Sequence, residues 1–235
     1  MTKIACKGLL FDMDGVLVDS TPAVARAWGK WATAHGFDPV ETTKRAHGRP
    51  SIATMRELLP NASVQALQQH DDWMQREEIA DVVDVVALPG ALELLSSLPA
   101  QQFAVVTSAV RPLADVRLGA AGLLQFALNM VTADEIRHGK PDPEPYLKGA
   151  AKLHLRPQDC VVIEDAPSGV RSGKTAGARV IALRTTTPDE ELLLAGADWI
   201  ANDCSAVRLL SSPDFAQIAF ELLDSPHDRR TPKMS

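Results

Sequence analysis

At 235 residues, with 46% hydrophobic and 23% charged side chains, the chain can bury the core of one large domain, or of a medium domain with a smaller insert. A formal charge of −6 and a pI near 5.5 argue against nucleic acid or an anionic membrane surface as the main partner, and no apolar run approaches the ~18 residues of a membrane span. Three cysteines without a C-x-x-C pair, and no charged-then-apolar leader, predict reduced structural thiols and a cytoplasmic setting.

An apolar run over residues 4–11 reads as a buried strand. Residues 21–88 then change character. In 22–37, Val24, Trp28 and Trp31 fall at i, i+4 and i+7. Pro22 suits a first helical turn and Gly36 a helix end. A short helix follows over 40–46, and His47-Gly48-Arg49-Pro50 breaks it. Helical spacing returns over 51–59 and again over 63–80. The segment predicts a small helical bundle inserted after the first strand.

From Leu88-Pro89-Gly90 onward, helix and strand alternate. Helices are predicted over 90–98, 111–121, 143–154, 168–176 and 189–194. Strands are predicted over 103–107, 128–132, 160–163, 179–183 and 199–201. Two C-terminal helices complete the expectation, ahead of a polar tail at 225–235. Alternation of this kind predicts an α/β fold with a mostly parallel, Rossmann-like sheet flanked by helices. The domains are then 1–20 with 89–235 as the core and 21–88 as the inserted bundle.

Ligands in open α/β sheets bind outside the carboxyl ends of the strands. The first strand ends in Asp12-Met13-Asp14-Gly15, the strand at 103–107 in Thr107-Ser108, and the strand at 160–163 in Glu164-Asp165. Lys140 stands in the loop ahead of the Pro143 helix. Each has a plain structural alternative when taken alone: an Asx turn at Asp12 and Asp14, a helix cap at Thr107-Ser108 or Glu164-Asp165, a solvated lysine at 140. Together they supply hard oxygens for Mg2+, donors for phosphoryl oxygens and one compensating cation. Asp12 suits a nucleophile, because carboxylates form aspartyl phosphates, and Asp14 suits proton transfer.

These motifs resemble the haloacid dehalogenase superfamily of Mg2+-dependent phosphotransferases. The first is Asp12-Met13-Asp14-Gly15-Val16-Leu17-Val18-Asp19-Ser20 and the second Thr107. The third is Lys140 within Gly139-Lys140-Pro141-Asp142-Pro143, and the fourth Glu164-Asp165-Ala166-Pro167-Ser168-Gly169. The resemblance implies a Rossmann-like core with a helical cap. It makes Asp12 the nucleophile, Asp14 the general acid and base, and Thr107 and Lys140 phosphate binders, beside which Ser108 is a further phosphate-binding candidate from its place at the strand end. Mg2+ would lie among Asp12, Asp14, Asp165 and Glu164, with Glu164 as ligand or supporting partner. An acid at 14 is similar to the phosphatase and mutase branches, not the dehalogenases.

The cap segment, with Ser20-Thr21-Pro22, Trp28, Trp31 and Ala46-His47-Gly48-Arg49, resembles small sugar-phosphate phosphatases. Hydrolysis of a sugar or polyol phosphate is the expectation. A sugar-phosphate mutase is the alternative, although Val24 stands where the resembling mutases have a cap histidine. A non-catalytic sugar-phosphate sensor is a further alternative. A small phosphorylated metabolite is the expected partner, with no nucleic acid and no membrane, and the chain a monomer or weak homo-oligomer. His47, Gly48, Arg49 and Trp28 are candidates for reading the substrate, although Trp28 at helical spacing equally suits bundle core. The hinges of a closing cap would lie near 19–21 and 88–90.

Overall fold

The computed structural model describes residues 2–46, 50–210 and 217–223. The apolar run at 4–11 forms two strands rather than one. β1 (Thr2–Cys6) and β2 (Gly8–Phe11) separate at Lys7, whose amide donates to Asp159 O at 2.8 Å. Every residue of β2 is buried, as expected for a strand covered on both faces of a parallel sheet.

The chain then crosses β3 (Val18–Asp19) into α1 (Thr21–Ala34), α2 (Pro39–Ala46), α3 (Ser51–Leu58) and α4 (Val64–Ala80), and leaves through β4 (Val86–Ala87). The inward stripe of these helices makes its own apolar cluster, with Trp28, Trp31, Met55, Leu67 and Met74 at its centre. Trp31 stacks on His35 and Phe37 at 4.3 and 5.8 Å between ring centroids. β3 and β4 pair antiparallel, Val18 opposite Ala87 and Asp19 opposite Val86. The two connections to the helices therefore run side by side.

The remaining elements are α5 (Ala91–Ser96), β5 (Phe103–Val106), α6 (Arg111–Ala120), β6 (Met130–Val131), α7 (Glu144–Lys152), β7 (Cys160–Glu164), α8 (Pro167–Thr175), β8 (Arg179–Leu183), α9 (Asp189–Ala195) and β9 (Trp199–Ala201). Six strands form a parallel sheet in the order β6-β5-β2-β7-β8-β9. The pleat sends alternate residues to opposite faces. Leu9, Phe11, Val105 and Ile163 pack in the layer that holds Leu94, Leu113 and Leu118 of α5 and α6. Leu10, Ala104, Val106 and Val162 pack with Tyr146, Val170 and Leu192 of α7, α8 and α9. The expected α/β class and parallel sheet are what the chain forms.

Among the described residues, the two expected C-terminal helices do not form. Instead β10 (Val207–Leu210) and β11 (Ile218–Leu222) pair antiparallel, and β11 pairs with β1 to give the order β1-β11-β10. Short apolar runs do not separate helix from strand by periodicity. Here the free edge of β1 decides, matching Ile4 with Phe220 and Cys6 with Ile218. The free cysteines Cys6, Cys160 and Cys204 are buried, and burial pushes their thiols up to about 12, 11 and 12. Among the described residues, no helix is long and apolar enough to cross a membrane.

Candidate active site

A cavity of about 420 Å3 opens between the carboxyl ends of β2, β5 and β7 and the inner faces of α1, α3 and α4. Asp12, Asp14, Thr107, Ser108, Lys140, Glu164, Asp165 and Trp28 all line it. The sheet thus brings together residues up to 153 positions apart, because parallel strands all end on one side. His47, Gly48 and Arg49 lie outside the described residues, between Ala46 and Pro50, which both border the cavity.

Asp12 follows β2, its amide tied to Ile163 O at 2.9 Å. The chain then turns sharply: Gly15 N donates to Val18 O at 2.8 Å, and Gly15 has φ +79°. That conformation favours glycine, and a Cβ there would overlap the Asp165 carboxylate. Gly15 therefore lets the Asp12–Asp14 loop lie against the end of β7. Asp14 Oδ1 accepts from Ser20 Oγ at 2.6 Å and from Arg117 Nη1 at 2.9 Å.

Lys140 is buried among acceptors. Its Nζ donates to Asp12 Oδ1 at 2.5 Å, Glu164 Oε1 at 2.8 Å and Val106 O at 3.1 Å, and lies 5.0 Å from the Tyr146 ring centroid. Its loop is pinned by Glu144, which accepts from the amides of Arg137 and His138 at 3.1 and 2.9 Å. Both oxygens of Glu164 are engaged. Oε1 takes Lys140 and the Tyr146 hydroxyl, and Oε2 takes the amides of Asp165 and Ala166 at 2.9 and 3.0 Å. Thr107 is buried, with Oγ1 accepting from Ala109 N at 3.0 Å, whereas Ser108 is exposed to the cavity mouth. Trp28 serves both readings at once, being 3% exposed in the helical cluster and part of the cavity wall.

The electrostatics are unbalanced. Asp12, Glu164 and Asp165 bring carboxylate oxygens within 4.8 Å of one another, and Lys140 is the cation bonded to Asp12 and Glu164. Burial pushes Asp12 up to about 7, against the opposing pull of Lys140 and with a further push from Glu164. Burial likewise drives Asp165 well above the carboxylate range, aided by Glu164 and Asp12. Burial would lower Lys140, but Asp12 and Glu164 outweigh it and the net shift is upward. Clustered, desolvated carboxylates short of positive charge are a donor set suited to a hard divalent cation.

Four participants were not singled out from the sequence. Arg117 on α6, Tyr146 on α7 and Thr186 after β8 bond Asp14, Glu164 and Asp165 in turn, and Glu78 on α4 pairs with Arg117. Arg117, Glu78 and Thr186 carry no motif. Tyr146 had a usable signal, as the one tyrosine in the chain, placed on the helix that follows the Lys140 loop.

A parallel sheet whose strands deliver an acidic cluster and a buried lysine to one cavity has the build of an α/β enzyme. Residues 6–177 match the haloacid dehalogenase-like hydrolase family, and the chain belongs to it. It is 40% identical over 211 residues to hexitol phosphatase A of Escherichia coli (strain K12), covering 89% of this chain and 96% of that one. It is 33% identical over 232 residues to 2-deoxyglucose-6-phosphate phosphatase 2 of Saccharomyces cerevisiae, covering 86% and 90%. Among solved structures, a hydrolase from Pseudomonas syringae superposes with a TM-score of 0.76 at 26% identity, covering 85% and 94%.

Proposed function

We propose that the protein hydrolyses small phosphomonoesters, specifically sugar or polyol phosphates, in two steps through an aspartyl phosphate on Asp12. The carrying observation is the buried contact of Lys140 Nζ with Asp12 Oδ1 at 2.5 Å, at the end of the central strand and beside Asp165. Names of relatives sharing most of this chain's length support the substrate class, since they specify hexitol phosphate and deoxyhexose phosphate chemistry.

Asp12 and Asp165, with the Asp14 carbonyl, would hold Mg2+, which when bound neutralises the carboxylates and the phosphoryl oxygens. Glu164, with both oxygens occupied, supports Lys140 rather than offering a free ligand atom. Thr107, Ser108 and Lys140 bind the phosphoryl group. Asp12 attacks phosphorus in line as the P–O bond to the alcohol breaks, and Asp14 protonates that leaving oxygen. Asp14 then takes a proton from water as the water attacks the Asp12 phosphoryl group, releasing phosphate and restoring the carboxylate. Residues 21–88 would act as a cap that excludes bulk water, hinged where β3 pairs with β4. Trp28, in the cavity wall, would face the alcohol part of the substrate.

A panel of sugar and polyol phosphates with Mg2+, read by released phosphate, tests the reading. Selective kcat/KM for polyol or hexose monophosphates supports it. An isomeric sugar phosphate without free phosphate would favour a mutase, and no turnover of any phosphomonoester would exclude both.

A further inference from the structure

The mechanism above leaves Arg117 without a task. It lies on α6, is 6% exposed at the side chain, and faces two carboxylates from different parts of the chain. Nη1 donates to Asp14 Oδ1 at 2.9 Å, and Nη2 stands 3.5 Å from Glu78 Oε1 on α4. Glu78 is 12% exposed at the side chain, and α4 packs directly on α6. Arg117 Nε and Nη2 are buried with no hydrogen-bond partner among the described residues.

A guanidinium stays charged, and burying it with N–H groups unspent is costly. Packing does not explain the placement, because Leu113, Ala114 and Leu118 already supply the buried apolar face of α6. What the arginine adds is its planar fork, which can address two carboxylates at fixed angles. Ser20 Oγ and Arg117 Nη1 hold the same oxygen of Asp14 from two sides. Among the described residues, Oδ2 has no such bond, and Asp14 lines the cavity. One oxygen is anchored and the other is left for proton transfer.

We propose that Arg117 is a positioning residue, which fixes the Asp14 carboxylate and ties its orientation to the seating of α4 through Glu78. It acts through Asp14, not on the phosphoryl group. The inference rests on the reading of Asp14 as the proton-transfer group. Nη2 is close enough to Glu78 for a small advance of α4 to complete a charge-assisted hydrogen bond. Proton transfer would then be aligned best when the helices sit down over the sheet.

The test compares p-nitrophenyl phosphate with phenyl phosphate in Mg2+. The two differ in how much the leaving oxygen needs a proton, and kcat/KM reads the step in which that oxygen departs. Arg117→Met is expected to lose at least about tenfold more kcat/KM on phenyl phosphate than on p-nitrophenyl phosphate, within the range of a general-acid contribution. KM should change less than about threefold, given no direct phosphate contact. Arg117→Lys should recover part of the selective loss, and Glu78→Gln should show a smaller loss of the same kind. If Arg117→Met does not fold by circular dichroism, Arg117→Lys is judged by the same ratio. Equal losses on both substrates, or a change confined to KM, would overturn the positioning role. No selective loss in Glu78→Gln would overturn the link to α4. Asp14→Asn is measured alongside. If it keeps the wild-type preference between the substrates, the acid role of Asp14 fails. If it shows the selective loss and Arg117→Met does not, only the inference fails.

Discussion

Lys140 Nζ sits 2.5 Å from Asp12 Oδ1 although 128 residues separate them in the chain. The same ammonium bonds Glu164 Oε1, so one cation holds the proposed nucleophile and the carboxylate behind it. Substitution by methionine keeps the stem's bulk and leaves two buried acids without their partner. Lys140→Met should cost about 3 kcal/mol or more in stability, the usual penalty for breaking a buried pair. It should also lower kcat/KM by about 10²–10³, as when one transition-state donor is lost. Thermal melts and phosphate release with Mg2+ measure the two effects.

Tyr146 separates support from chemistry. Its hydroxyl donates to Glu164 Oε1 at 2.9 Å, but Glu164 keeps Lys140 and two backbone amides without it. Tyr146→Phe should lose about 1.5–3 kcal/mol, as expected for a hydrogen bond to a charged group. Activity with Mg2+ should fall less than in Lys140→Met. An activity loss equal to that of Lys140→Met would mean the hydroxyl acts on the substrate.

Gly15 carries a backbone prediction. Alanine would face both the φ of +79° and overlap with the Asp165 carboxylate. Gly15→Ala should depress Mg2+ affinity and melting temperature together, because relief of the overlap moves Asp165 or the Asp12–Asp14 loop. Titration of Mg2+ against turnover checks it. Unchanged Mg2+ dependence would show that the loop tolerates the side chain.

The metal-free protein should lose stability as pH rises. Burial raises Asp12 from 3.8 to about 7, so between these values the folded chain holds a proton that the unfolded chain has released. The stabilisation is complete below about pH 4 and gone above about pH 7, about 4 kcal/mol at most for three pH units. Asp165 shifts in the same direction. A divalent cation binds the deprotonated acids, so Mg2+ should raise the melting temperature more at pH 7.5 than at pH 5. Melts in chelator and in Mg2+ at both values check this. An Mg2+ effect that grows toward pH 5 would contradict the proposed ligands.

The parallel sheet was legible because its strands are short apolar runs between amphipathic helices, and because strands of one direction must end together. That rule alone brings Asp12, Thr107, Lys140 and Asp165 to one cavity. The break at Lys7 and the pairing of β10 and β11 were not legible. Both depend on β1 finding the edge of β11 more than 200 residues away, and nothing local in Ile218–Leu222 distinguishes strand from helix. Arg117 and Glu78 were missed for a related reason. On sequence each is a charge on an amphipathic helix, and only the packing of α4 on α6 turns them toward Asp14.

The most direct measurement is rapid-quench mass spectrometry of the enzyme mixed with Mg2+ and a turned-over phosphomonoester. A phosphoryl group on Asp12, formed and lost fast enough to account for turnover and absent in Asp12→Asn, is the predicted result. Near-native phosphate release by Asp12→Asn, or a phosphoryl group on another residue, would contradict it.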